Sequence, residues 1–133
     1  MILVSNIEYL LLERGISQYE FAKKINLSYG NTLAICNSVL MENIKMKSAN
    51  KIGLILDIPM KKFATKVNPI YIEDKELYKL FVVYKDGKQD KILGSKEDAH
   101  KYISVKYNDL GNIEIKEKLF SVDKDYNLQE IKL

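Results

Sequence analysis

The run from Gly15 to Asn37 constrains the fold more than any other part of this sequence. Ser17 is a helix N-cap, a hydroxyl able to accept from an early backbone N–H, and Glu20 three residues on completes a capping box. Phe21, Ala22 and Ile25 then fall on one helical face, the spacing of an amphipathic helix. Asn26 stops that helix, because Asn tolerates the left-handed conformation almost as well as Gly. Leu27 plugs the corner and Ser28 caps a second helix. Two short helices, a tight turn and a small Ala22 where they cross make a helix-turn-helix. The bland alternative is a helical bundle that uses the same caps for stability alone.

The pattern Ser17-Gln18-x-x-Phe21-Ala22-x-x-x-Asn26-Leu27-Ser28 resembles the phage-repressor (Cro/XRE-type) helix-turn-helix family, whose motif runs Ser-Gln-x-x-Leu-Ala-x-x-x-Gly-Ile/Val-Ser. The resemblance covers roughly the first half of the chain. Ile7, Leu10 and Leu11 suit a first helix ended by Gly15. Ile52, Leu54, Ile55 and Leu56 suit a fourth, and Asp57 to Phe63 the closing turn. Asn26 stands where the family has Gly. Cys36 and Ser38 stand where it has Glu and Gly after the recognition helix. Thr32 occupies a position the family keeps apolar, with Leu33 one residue late, which a one-residue insertion around Tyr29-Gly30 explains. The resemblance implies a repressor of phage or mobile-element type that binds operator DNA as a homodimer.

The expected contacts follow from geometry. A helix fits the major groove and its N-terminal residues reach base edges, so Tyr29, Asn31 and Thr32 are the candidates for base contact. The N-termini at Ser17 and Ser28 offer backbone N–H groups to phosphates. Gln18 is placed to touch a phosphate or brace the recognition helix. Lys45 and Lys47, after the third helix, are placed to neutralise backbone charge. Few cations lie on the recognition helix, and a dimer compensates for that weakness.

Charge agrees with this division. Residues 1–66 carry nine Lys or Arg against five Asp or Glu, and residues 67–133 twelve against thirteen, so the excess behind the net +3 lies in the first half. A basic footprint assists phosphate binding. The one cysteine makes no intramolecular disulfide, which reads as a cytoplasmic chain. Met1-Ile-Leu-Val lacks a basic flank and is no signal peptide. No apolar run approaches the roughly 20 residues of a membrane span. Many Lys and Ile with one Arg and no Trp point to an AT-rich genome.

Beyond Thr65–Pro69, read as a linker, the periodicity turns from helical to extended. Leu77 to Tyr84 reads as a strand, Asp86-Gly87 as a tight turn and Lys88 to Leu93 as its return. Ser95-Lys-Glu-Asp98 opens a helix to about Tyr107 with Ala99, Tyr102 and Ile103 inward. Ile113 to Val122 and Leu128 to Leu133 are two further strands about a turn at Asp123 to Asn127. The expected fold class is α+β: an all-helical domain over residues 1–66, then a ββαββ antiparallel-sheet module over residues 67–133. That module would serve dimerisation or bind a protein partner, its six tyrosines from Tyr71 to Tyr126 favouring a contact face as much as a core.

No catalytic residue, cofactor site or metal site is expected. Cys36 reads as a small buried hydrophobe, and His100, the single histidine, has no partner at metal-ligand spacing. A competing resemblance is to some small phage anti-CRISPR proteins, through Asn31-Thr32-Leu33 after Ser28, the missing turn Gly and the long connection after the third helix. It implies a double role, the first half autoregulating an operon and the Tyr-rich second half binding a CRISPR nuclease.

Overall fold

The computed structural model describes residues 1–132. Three helices follow one another where the caps place them: α1 (Ile7–Arg14), α2 (Gln18–Ile25) and α3 (Tyr29–Cys36). α1 stops at Gly15, which takes φ 65°, a conformation open to a residue without Cβ. A fourth helix, α4 (Met46–Leu56), ends on Asp57 at φ 52°, where a short polar side chain tolerates the left-handed region. Phe21 and Ile25 of α2 join Leu10 and Leu11 of α1, Ile35 of α3 and Ile52 of α4 in one core, and Ala22 is buried as well. Leu54, on the same helix, is 80% exposed.

The first half is not the all-helical domain expected. It opens with a strand, β1 (Ile2–Val4), which pairs antiparallel with β2 (Val39–Leu40) and with β3 (Ala64–Lys66). β1 is the middle strand, Leu3 lying opposite Leu40 on one side and Thr65 on the other. Strands this short show no alternation in sequence, and their partners lie far along the chain, so neither signal was available locally. The expected linker is also structured. Val67 is buried, its N–H donating to the Met1 carbonyl at 2.9 Å.

The second half adds a strand before the expected hairpin. β4 (Ile70–Ile72) and β5 (Lys75–Lys85) are joined by Glu73-Asp74, both at positive φ. That is the conformation of a two-residue hairpin turn, here without the Gly that usually announces it. β6 (Lys88–Leu93) returns through Asp86-Gly87, and α5 (Lys96–Lys106), β7 (Ile113–Val122) and β8 (Leu128–Ile131) follow. The order is therefore βββαββ. The antiparallel sheet runs β4-β5-β7-β8 with β6 paired to β5. β8 ends at Ile131; of the strand expected to reach Leu133, that last residue lies outside the described residues.

β5 alternates between two cores, as a strand buried on both faces must. Val83 joins Leu93 of β6, Ala99, Tyr102 and Ile103 of α5 and the helices of the first half. Tyr78, Leu80 and Val82 meet Leu3, Leu40 and Val67 around the small sheet.

Gly94, between β6 and α5, sits against β3. A Cβ there would lie 2.7 Å from Thr65 Cγ2 and 3.2 Å from Val67 Cγ2. Thr65 is stiff at χ1, and its hydroxyl is held by Asp98 at 2.9 Å. Gly94→Ala is therefore expected to destabilise the fold by about 1–3 kcal/mol, read as a lower urea midpoint.

Candidate nucleic-acid interface

The helix-turn-helix is assembled by side-chain caps. Ser17 Oγ accepts from the Glu20 N–H at 3.0 Å, and Ser28 Oγ from the Asn31 N–H at 3.2 Å. Between them Asn26 takes φ 57°, ψ 46°, and its N–H returns to the last turn of α2. Leu27 is half-buried in the corner. The three-residue turn fixes α3 against α2, so the outward residues of α3 form one face.

That face carries Tyr29, Gly30, Asn31 and Ala34, all exposed. Tyr29 packs edge-on against Tyr19 with centroids 6.3 Å apart, and Lys23 Nζ lies 4.6 Å over the Tyr19 ring. Gln18 is half-buried at the start of α2, while Lys45 and Lys47, before and within the first turn of α4, are exposed. Ser28 is exposed as well.

Thr32 is a correction. It is 0% exposed, its hydroxyl donating to the Ser28 carbonyl at 3.0 Å. It fills the slot where an apolar side chain was expected, so α3 needs no inserted residue and Thr32 reaches no groove. Self-bonding to the carbonyl four residues back is what lets a hydroxyl occupy a core position.

A cleft of about 510 Å³ runs beside α3, lined by Leu27, Asn31, Ala34, Ile44, Lys45 and, from the turn between β7 and β8, Asn127. The cleft brings Asn31 and Lys45 together. It also brings in a turn that sequence reasoning left out. Asn43 Nδ2 donates to the Tyr126 carbonyl at 2.9 Å, and Asn127 of the same turn lines the cleft beside α3. At the tip, backbone N–H groups of Asn127 and Asp125 hold the Asp123 carboxyl below the usual carboxylate range, and the charge of Lys124 adds to this.

The C-terminal end of α3 is held by a buried cation. Lys91 of β6 is 2% exposed; its Nζ donates to the Cys36 carbonyl and pairs with Glu8 Oε2 at 2.5 Å. A cation on the last carbonyls of a helix also suits the helix dipole. Around it, Lys106 bridges Glu8 at 3.1 Å and Asp90 at 2.9 Å, and the Tyr102 hydroxyl lies 2.9 Å from Asp90 and accepts from Lys106. Burial would raise Asp90, but hydrogen bonds from Tyr107, Lys106 and Tyr102 outweigh it and hold the carboxyl below its ordinary value. Burial pushes the Cys36 thiol up to about 11, so it is an unreactive thiol at neutral pH. A strand lysine at this position gives no sequence signal, because isolated charges in strands normally face water.

Among the described residues no three His, Cys, Asp or Glu side chains are grouped to hold a metal, and no helix is long and apolar enough to cross a membrane. No family model matches the chain, and no characterised protein and no solved structure matches it.

Proposed function

We propose that this chain is a sequence-specific DNA-binding regulator, a repressor of phage or mobile-element type acting in the cytoplasm as a homodimer. One observation carries the reading. Two eight-residue helices, each capped by a serine and joined through left-handed Asn26, leave Tyr29, Asn31 and Ala34 of the second in solvent. This is the arrangement that lays a second helix into a major groove while the first crosses the backbone. Asn31 is the base reader, able to pair with adenine through both amide groups. Ser28 and Gln18 present the helix N-termini to phosphate, Tyr29 adds apolar and hydroxyl contact, and Lys45 and Lys47 supply sequence-independent attraction.

A gel shift with the DNA upstream of the chain's own coding sequence tests it. Asn31→Ala is expected to reduce the preference for the operator over unrelated duplex by about 1–3 kcal/mol. Lys47→Ala should weaken binding to every duplex alike and flatten the salt slope by about 1. No shift of any duplex at low salt sinks the reading. If, in addition, the full-length chain inhibits a CRISPR nuclease in the absence of DNA operators, the function passes to protein binding.

A further inference from the structure

The outer face of α4 carries a knob and a hole side by side. Leu54 has the highest exposure of any large apolar side chain described, at 80%. Next to it opens a cleft of about 550 Å³ floored by Gly53, Ile58, Met60 and Phe63. Gly53 contributes no side chain, so the floor beside Leu54 stays open. A patch holding both a knob and a hole is complementary to itself, which is what a two-fold interface requires.

Charge selects the occupant. Lys51, midway along α4, and Asp57, its C-cap, are both exposed, one three residues before Leu54 and the other three after. Neither takes part in an ion pair of its own chain among the described residues. If two copies of this helix cross antiparallel at Leu54, Lys51 of one copy meets Asp57 of the other, twice by symmetry. Parallel or heterologous contacts give no such double match.

We propose that α4 forms the homodimer interface: Leu54 of each copy seats in the Gly53–Phe63 cleft of the other, flanked by two symmetric Lys51–Asp57 ion pairs. This rests on the homodimer part of the functional reading. It is measured without DNA, so its failure leaves base reading by α3 to be judged by the gel shift alone.

The test is sedimentation equilibrium of the full-length chain over a concentration series. The wild type is expected to dimerise. Leu54→Glu is expected to weaken dimerisation by about a hundredfold or more, since two buried leucines are lost at once. The substitution lies on an exposed helix position where Glu is a good helix former, so the fold is unaffected, which circular dichroism checks. Lys51→Glu should weaken association about tenfold by setting Glu against Asp57 of the other copy. Adding Asp57→Lys should restore it. Any strain of lysine in the left-handed position falls equally on monomer and dimer and cancels. A wild type that stays monomeric, a Leu54→Glu variant that dimerises unchanged, or a double charge variant weaker than the single one each overturns the proposal.

Discussion

Lys91→Ala is expected to lower stability by about 3–5 kcal/mol, the usual result of removing one partner of a buried ion pair. A domain of this kind holds only about 5–15 kcal/mol in total, so the variant is marginal. Lys91 Nζ is the group that satisfies the Cys36 carbonyl, pairs with Glu8 and lies 5.5 Å over the Tyr102 ring. Its removal leaves a carbonyl without a donor and one oxygen of Glu8 without its cation, while Lys106 keeps the other. Urea unfolding at unchanged slope measures the loss. The double variant Glu8→Gln with Lys91→Met should lose less than the two single changes added together, because no unpaired charge stays behind. Additive losses would show that the pair does not act as a unit.

The same network sets the pH window. Asp90 is depressed in the fold, so its contribution is complete above the ordinary Asp value of about 3.9 and disappears as pH falls toward the lower folded value. For Lys106, burial opposes the charge, but Asp90 and Glu8 outweigh it and raise the group. Its contribution is therefore complete below the ordinary Lys value of about 10.4 and disappears as pH rises through the folded one. Stability should be level through neutral pH, fall in acid and fall again in strong alkali. Asp90→Asn should remove the acid limb that Asp90 contributes.

Phe21→Ala is the second large effect, about 3–5 kcal/mol for an aromatic deleted from a closed core. Phe21 is 0% exposed. Its core also contains Val83 and Leu93 of the sheet and Tyr102 of α5. The change should therefore lower the whole molecule in one transition, with the helical far-ultraviolet signal and the tyrosine signal moving together. Hydrogen exchange gives the sharper check. Amides of β5 should lose protection by as much as those of α2, and protection retained in β5 alone would mean the two halves open independently.

What could be read in advance is what local chemistry encodes. Ser17, Ser28 and Ser95 each accept the backbone N–H three residues on, as their spacing implied. Asp86-Gly87 turns where its φ preference places it, with Lys85 opposite Lys88. The misses share one cause, a partner remote in sequence. Ile2–Val4 looks like a lead-in until Val39–Leu40 and Ala64–Lys66 are beside it. Lys91 looks solvated until Glu8 and Cys36 close over it. Of the candidate contact residues, Tyr29 and Asn31 lie outward, which helix phase from the Ser28 cap determines. Thr32 failed because its place near the start of the helix, with an inserted residue supposed before it, reads as outward, whereas its phase from Ser28 puts it in the core. Tyr126 and Asn127 were out of reach, since nothing near them says which helix their turn will join.

The central place of β1 imposes an order in time. As the chain is synthesised, Ile2–Val4 are made long before Ala64–Lys66, and have no second partner until those residues exist. The last carbonyl of α3 waits longer, until Lys91 has been made. A nascent chain that already contains the complete α2–α3 pair therefore lacks the groups that hold it in place. On the function proposed above, a product truncated at that length is not a smaller regulator, because the α2–α3 pair is held by groups made after it.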